Sequence, residues 1–226
     1  MKAAPIRLIV PRLPFWSMLS SEEQAIVSER AVVKNFGKGQ LVSSNTFECL
    51  GIVFILEGEI RVSMTSDDGR EVSLYHARKD EVCVSTASCV IQQLTFDTAV
   101  VAEKDTSLLV VPAMVCARLM ESNVHVRAFV FESETERFSQ AVRAIQLMLF
   151  KRFDQRLASY LVSHFERNGS DEIRKTQEEI ARDVNSAREV VARMLKDFSN
   201  EGLVDVKRGL IKLRNIDGLK KRISAP

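Results

Sequence analysis

The sequence predicts an α+β protein in three parts, and three patterns support that prediction. Short apolar or alternating segments separated by turn residues recur through residues 1–112, which is typical of antiparallel strands. Residues 113–150 contain neither glycine nor proline and carry a helical apolar pattern. Residues 151–226 combine helices with a tight turn and a hairpin, so the strands and helices fall into separate parts of the chain.

Charge is distributed unevenly along the 226 residues, although the net charge is only +2. Residues 1–150 hold 15 Lys and Arg against 18 Asp and Glu, a net charge of −3. Residues 151–226 hold 17 against 12, a net charge of +5. Positive charge in the C-terminal part suits the neutralisation of phosphates. We find no apolar run as long as a membrane span and no convincing signal peptide, and therefore expect a cytoplasmic protein.

Residues that could carry catalysis or bind metal are scattered. The cysteines lie at positions 49, 83, 89 and 116 without a CxxC pair, and most are expected to be small buried apolar residues. His76, His125 and His164 occur in unlike contexts, and glycine-rich phosphate loops are absent from the sequence. We therefore do not expect an enzyme.

The N-terminal part is predicted to be a small antiparallel β-roll or barrel. Residues 1–20, with three prolines, are interpreted as a lead-in. A short helix over Glu22–Arg30 is capped by Ser20, with Glu23 completing a capping box. A turn at Phe36–Gln40 leads into the first of the following strands. The clearest strands are predicted at Gly51–Leu56, Ile60–Met64, Val72–Tyr75, Thr95–Phe96, Ala99–Ala102 and Ser107–Val111.

The helical stretch 113–150 carries apolar residues at alternating spacings of four and three, which is the a/d pattern of a helix pair. This seam consists of Val124, Ala128, Phe131, Thr135, Phe138, Val142, Ile145 and Leu149. Charged residues flank it on both sides, which favours a narrow seam between two subunits. The alternative is that the helix packs with this face on its own β-roll. A hinge is predicted at Lys151–Asp154, with the next helix beginning at Arg156.

Two short helices with a tight turn are predicted within Thr176–Leu195. Thr176 is the expected N-cap of the first, and Glu179 completes a capping box. Asn185 tolerates the left-handed conformation that ends a helix. Ser186 is the expected N-cap of the second helix, with Glu189 three residues later.

The outer face of the second helix and the segment after it suit an interaction with DNA. Arg188 can bond guanine bidentately, and Glu189 can accept a hydrogen bond from cytosine. Two alternating segments, Leu203–Val206 and Leu210–Leu213, flank a basic turn and predict a hairpin wing. The alternatives are that the charged helix face is only solvated and that Glu189 is chiefly a capping residue.

These motifs resemble the Crp/Fnr family of bacterial transcription regulators. In the C-terminal part the matching residues are Glu178–Ala181, Arg188, Glu189, Val191, Arg193, Leu195 and Glu201–Leu203. Asn185 replaces the usual turn glycine. Looser matches occur at Phe36–Val42, Ile55–Val62, Asp68–Glu71 and Ala99–Pro112, so the resemblance covers roughly residues 20–220.

The resemblance implies a β-roll sensor of the cyclic-nucleotide-binding-domain type, which is cupin-like (1–112), a dimerisation helix (113–150) and a winged helix-turn-helix (151–226). It implies an effector-controlled homodimer that binds a palindromic double-stranded DNA site and contacts RNA polymerase. Base recognition is expected from Arg188, Glu189 and Arg193, and phosphate contacts from Lys175, Lys207 and Arg208. Thr176 and Ser186 are expected in the same interface.

The effector is not identified by the resemblance. The segment 79–94 lacks the Gly-Glu and Arg of members that bind cyclic AMP, and Ala141-Val142 replaces their Thr-Ser pair. No cysteine precedes Cys49, which argues against an Fe–S cluster, and Ser85 stands where the haem members have histidine. What remains is a candidate pocket for a small ligand or for oxidation, formed by Cys83, Ser85, Thr86, Ser88 and Cys89.

Three alternatives are kept. The segment 83–89 may be read as two buried cysteines and a polar turn, and the roll as vestigial, without an effector. A cupin-type metal enzyme would need a cluster of His and Glu ligands on the roll, where His76 is the only histidine.

Overall fold

The computed structural model describes residues 5–44, 50–65, 71–84 and 98–224. The chain folds into two compact units. The first comprises Met1–Arg70 and Leu74–Ala141, and the second comprises Glu71–Ser73 and Val142–Pro226. None of the helices in the described ranges is both long enough and apolar enough to cross a membrane.

The first unit is built on two four-stranded antiparallel sheets, as the strand pattern predicts. One sheet has the order β1-β8-β3-β6 and the other β2-β7-β4-β5. The predicted strand at Thr95–Phe96 lies outside the described residues. The strands are β1 Val32–Phe36, β2 Leu41–Ser44, β3 Ile52–Glu57, β4 Glu59–Thr65, β5 Glu71–Arg78, β6 Val82–Cys83, β7 Ala99–Ala102 and β8 Thr106–Val111.

The N-terminal segment is part of the core of this unit, and its interpretation as a lead-in is wrong. It forms helix α1 (Ile6–Ile9) and two 3₁₀ turns (Val10–Arg12 and Trp16–Met18). Val10, Leu13 and Phe15 are buried in the same core cluster as Ile52 and Phe54 of β3. Burial of these side chains stabilises the segment by roughly 1.5–3 kcal/mol for each large apolar group.

Helix α2 (Ser21–Arg30) begins at the predicted capping box. Ser20 Oγ accepts a hydrogen bond from the Glu23 backbone N at 3.2 Å, and Glu23 Oε2 accepts one from the Ser20 backbone N at 2.8 Å. Two backbone donors that a helix start leaves unpaired are thereby satisfied, which is why this short helix begins at Ser21.

The helical stretch 113–150 is interrupted at Asn123, which the prediction of one continuous helix missed. It consists of α3 (Ala113–Ser122) and α4 (Val124–Phe150). Asn123 has an extended backbone, with φ −122° and ψ 105°. Its Oδ1 accepts hydrogen bonds from the backbone N of His125 (3.0 Å) and Val126 (3.1 Å). Asparagine is thus acting as an N-cap, which ends one helix and starts the next.

The two faces of α4 have different environments. Val126 and Val130 are buried in the core cluster of the first unit. The predicted seam lies on another face, where Phe131, Phe138 and Leu149 are exposed. These side chains therefore do not pack on the chain's own roll, which removes that alternative for the seam.

The second unit is a small helical domain with a three-stranded sheet of order β10-β11-β9. Its core contains one face of each helix, including Leu161, Ile180, Leu195 and Leu219. The short strand β9 and the last helix were not predicted from the sequence. The elements are α5 Phe153–Asn168, β9 Glu172–Ile173, α6 Gln177–Asp183, α7 Arg188–Asn200, β10 Val204–Lys207, β11 Leu210–Leu213 and α8 Ile216–Ser224.

The predicted hinge is shorter than expected. Helix α5 begins at Phe153 rather than at Arg156, because Asp154 and Gln155 are already buried in its first turn. The Arg152 backbone N donates to Gln155 Oε1 at 3.1 Å, which fixes this start. Only Lys151 and Arg152 separate α4 from α5.

A buried carboxylate organises the charges of the first unit. Glu59 at the start of β4 has a side chain that is 4% exposed. Its Oε1 lies 3.2 Å from His76 Nδ1 and 2.7 Å from Arg78 Nη2, and its Oε2 lies 2.9 Å from Lys104 Nζ. Burial alone would raise the pKa of Glu59. The hydrogen bonds from His76 and Lys104 and the charge of Arg78 outweigh that effect and hold the pKa well below its ordinary value.

Replacing this carboxylate should destabilise the first unit. We expect Glu59→Gln to lower the free energy of unfolding at pH 7 by about 1.5–3 kcal/mol, the range for hydrogen bonds to charged groups. Because the folded-state pKa is depressed, this contribution is present at neutral pH and declines as the pH falls below the ordinary value of 4.5. The difference between wild type and variant should therefore narrow in acid.

Urea unfolding followed by the fluorescence of Trp16, the single tryptophan of the chain, reports on this unit. Glu57→Gln is the matched control, because Glu57 is exposed one residue before Gly58. Equal stability of the two variants across this pH range would contradict the expectation.

Candidate functional site

The first helix of the predicted helix-turn-helix begins at its capping box. Thr176 Oγ1 accepts a hydrogen bond from the Glu179 backbone N at 3.2 Å, and the Thr176 backbone N donates to Glu179 Oε2 at 2.7 Å. The Thr176 hydroxyl also donates to the same carboxylate at 2.9 Å. The hydroxyl of Thr176 is therefore engaged within the helix start, and it fixes where α6 begins.

The turn between α6 and α7 is made by Asn185, as predicted, which adopts a left-handed backbone with φ 52°. The prediction that Ser186 caps the second helix is wrong. The N-cap is Ala187, without a side-chain cap, and α7 begins at Arg188. The third helical residue is then Val190, so Glu189 is not placed to complete a capping box. Glu189 is exposed, and the interpretation of this carboxylate as chiefly a cap loses its basis.

The orientation of α7 follows from its apolar stripe. Val191, Leu195 and Phe198 are buried in the core of the second unit, at the four- and three-residue spacings of one helix face. Val190 and Met194, also expected on the buried face, are half-buried. The opposite face is exposed and presents Arg188, Glu189, Arg193 and Lys196.

The hairpin wing has the predicted strands and tip. β10 pairs with β11 antiparallel, with Lys207 opposite Leu210. Arg208 and Gly209 form the two-residue connection, and Gly209 has the positive φ of 73° that a tight hairpin requires. Lys207 and Arg208 are both exposed at the tip.

A concave surface of about 660 Å³ joins these elements within the second unit. It lies between the start of α6, the start of α7 and the tip of the wing, and Lys175, Thr176, Arg188, Lys207 and Arg208 line it. Five of the eight predicted DNA-binding residues are thus brought together from segments more than 30 positions apart. Glu189, Arg193 and Ser186 do not line this hollow.

Lys175 differs from the basic residues of the wing. Its Nζ lies 2.7 Å from Asp183 Oδ2, and the Tyr160 hydroxyl donates to the same oxygen at 2.7 Å. The side chains of Lys175 and Asp183 are only 16% and 5% exposed. Asp183 and Tyr160 were not singled out in the sequence. Tyr160 lies on a different helix, 23 residues from Asp183, so no local spacing indicates the contact.

The candidate effector pocket is only partly described. Cys83 in β6 is buried, and its Sγ lies 3.9 Å from the Tyr75 hydroxyl. The Arg137 guanidinium stacks 5.1 Å from the centre of the Tyr75 ring and contacts Glu81. The remaining predicted members, Ser85, Thr86, Ser88 and Cys89, lie outside the described residues. Because Cys83 is buried, its thiol is poorly placed for direct oxidation by a solute.

Comparisons with known proteins were made with the whole chain. A sequence profile for the Crp-like helix-turn-helix domain matches residues 155–222. A search of curated proteins found no match. A structure from Eubacterium rectale, ascribed to a transcriptional regulator of the Crp/Fnr family, is 30% identical to this chain, with a TM-score of 0.88. The similarity covers 95% of this chain and 100% of that one.

Two more distant structures have the same fold. FixK2 from Bradyrhizobium japonicum is 17% identical, with a TM-score of 0.71 and coverage of 87% of this chain and 98% of that one. The c-di-GMP-responsive global regulator CLP from Xanthomonas campestris is 15% identical, with a TM-score of 0.70 and coverage of 86% and 99%.

The full-length similarity and the matched DNA-binding domain agree with the geometry of the helix-turn-helix and its wing. The chain belongs to the Crp/Fnr family of transcriptional regulators.

Proposed function

We propose that this regulator binds a palindromic DNA site as a homodimer, with α7 of each subunit in the major groove of one half-site. The observation that carries the proposal is the concave surface, which gathers Arg188, Lys207 and Arg208 around the start of α7. Crp/Fnr regulators bind DNA as dimers, and two-fold symmetry of the protein is matched by two-fold symmetry of the site. Half-sites centred about 34 Å apart would be read by the two α7 helices.

Base recognition is assigned to the first turn of α7. Arg188 and Glu189 are exposed at the helix start, the end of a recognition helix that reaches base edges. An arginine bonds guanine O6 and N7, and a glutamate accepts from the cytosine amino group. Arg193 lies five residues beyond Arg188, about 140° further round the helix, so it reaches a base at the edge of the site or a flanking phosphate.

Phosphate contacts are assigned to the wing. Lys207 and Arg208 are exposed at a hairpin tip on the rim of the same hollow. Long basic side chains at such a position can follow the DNA backbone without reading its sequence. Ser186 is half-buried in the turn before α7, and with Thr176 it serves to place that helix start.

The dimer is assigned to the seam of α4. Large apolar side chains on this face, such as Phe138, are exposed in the single chain, and burying them requires a second helix. In the proposed mechanism an effector biases the orientation of the DNA-binding domains about Lys151–Arg152. A DNA-binding dimer with a vestigial roll differs only in lacking that step, which native mass spectrometry of the purified protein can test.

The effector is left as an unidentified small molecule or redox signal, and cyclic AMP, haem and an Fe–S cluster are not expected. Contact with RNA polymerase and a cytoplasmic location follow from a role in transcription. Transcription regulators are not enzymes, and among the described residues no group of three or more His, Cys, Asp or Glu side chains is placed to hold a metal ion.

Replacing Arg188 should change which sequence the protein prefers. We expect Arg188→Ala to cost about 1–3 kcal/mol per half-site and to relax the preference at one base pair, because a bidentate base contact is lost. Lys207→Ala should weaken binding to all sequences alike and shallow the salt dependence by about one unit, because one phosphate contact is lost. Selection from random DNA, followed by titrations at several salt concentrations, measures both effects.

Glu189→Ala completes the comparison, since its loss should alter preference at a different base pair from Arg188. The assignment fails if Arg188→Ala lowers affinity uniformly and selects the same sequence as wild type.

Replacing a central seam residue should dissociate the dimer. Phe138→Glu places two carboxylates opposite each other in an apolar interface, so we expect monomers with weak DNA affinity. Arg143→Glu is the control, because Arg143 is exposed on α4 outside the seam. Sedimentation velocity distinguishes monomer from dimer, and a Phe138→Glu protein that still sediments as a dimer would place the interface elsewhere.

A further inference from the structure

A buried polar cluster lies behind the proposed DNA-binding surface. Asp183 Oδ2 receives both the Lys175 ammonium and the Tyr160 hydroxyl, each at 2.7 Å. Asp183 is 5% exposed, so its charge has lost most of its contact with water. A buried carboxylate is tolerated when a cation and further hydrogen bonds compensate the loss of hydration, and both are present.

The cluster connects three elements of the second unit. Tyr160 is on α5, Lys175 is in the segment between β9 and α6, and Asp183 is the last residue of α6. Lys175 immediately precedes the capping residue Thr176, and Asp183 lies two residues before Asn185 of the turn. The cluster therefore fixes both ends of α6, and with them the start of α7 where Arg188 lies.

The same contacts make Lys175 unsuited to the phosphate role that the sequence predicted for it. The counterions that DNA binding releases are those displaced by unpaired cations of the protein. The ammonium of Lys175 is held by a carboxylate at hydrogen-bond distance and is 16% exposed, whereas Lys207 and Arg208 are exposed at the wing tip. Moving Lys175 to a phosphate would leave Asp183 buried without its cation, which is costly.

We propose that Lys175, Asp183 and Tyr160 form a positioning cluster that orients the helix-turn-helix for DNA and contacts no phosphate itself. This inference rests on the proposed function. It assigns DNA affinity to an acidic residue and a tyrosine that are hidden from the DNA, and it removes one cation from the phosphate-binding set.

Asp183→Asn separates the two roles of Lys175, because they predict effects of opposite sign. If the cluster positions the helices, Asp183→Asn should weaken binding to the selected site about tenfold, with an unchanged salt slope. If Lys175 instead contacts a phosphate, removing the carboxylate should tighten binding and leave the slope the same or steeper by up to about 0.9 units. Tighter binding by Asp183→Asn would overturn the proposal.

Asp197→Asn is the matched control, since Asp197 is exposed on α7 and its replacement makes the same change in net charge. It should leave affinity unchanged or slightly raised. Lys175→Met should lose affinity as Asp183→Asn does and keep the wild-type salt slope, whereas Lys207→Met should shallow the slope by about 0.9 units. A Lys175→Met slope as shallow as that of Lys207→Met would also overturn the proposal.

Folding is controlled by measuring Tm for every variant and affinity well below the lowest Tm. Tyr160→Phe removes a single hydroxyl and should weaken binding in the same direction but less than Asp183→Asn. If the variants lower Tm and leave the affinity of the folded protein unchanged, the cluster is only structural and the positioning role is wrong. Arg188→Ala and Lys207→Ala, measured in the same assay, test the proposed function independently of this cluster.

Discussion

The burial of one stripe of α7 is the constraint on which the rest of the DNA-binding unit depends. Val191, Leu195 and Phe198 are buried in the core, and burial of each large apolar side chain contributes roughly 1.5–3 kcal/mol. A helix whose stripe is fixed cannot rotate about its axis, so the exposed face is fixed as well. The side chains offered to DNA are thus selected by residues that never contact it.

Polar contacts then determine where this helix starts. The capping box at Thr176 sets the start of α6, the left-handed Asn185 sets the turn, and the ion pair of Asp183 ties the end of α6 to the segment before it. Each is a local hydrogen-bonding solution for backbone or buried polar groups, and together they place Arg188 on the rim of the hollow beside the wing.

The basic residues of the unit consequently divide into two kinds. Arg188, Lys207 and Arg208 are exposed around one hollow, whereas Lys175 lines that hollow with its charge already held by a carboxylate. In the first unit, Arg78 and Lys104 likewise surround the buried Glu59. Counting positive charges along the sequence therefore overestimates the number of cations available to DNA, because the count includes those engaged inside the protein.

Features that depend on near neighbours in the chain were predictable from the sequence. They include the capping boxes at Ser20 and Thr176, the turn at Asn185, the seam of α4 and the basic hairpin tip. Their signals lie within a few residues, and the same local rules operate in the folded protein. The eight candidate DNA-binding residues came from these signals and from the family resemblance, and the structure gathers five of them in one hollow.

Features that depend on distant parts of the chain were missed. The contribution of Phe15 to the core requires the sheet that it covers, and the contact between Tyr160 and Asp183 requires two helices to meet. The cap at Ser186 failed for a different reason. Serine is a good N-cap, but the position of α7 is set by its buried stripe and the helix starts one residue later, after Ala187.

The central claim is that α7 of each subunit enters the major groove of one half-site. Methylation interference on the DNA sequence selected by the protein tests it most directly, because dimethyl sulfate modifies guanine N7 in the major groove and adenine N3 in the minor groove. The account predicts two clusters of interfering guanines about one helical turn, or 10–10.5 base pairs, apart. Interference from minor-groove adenines alone, or from a single cluster of guanines, would contradict it.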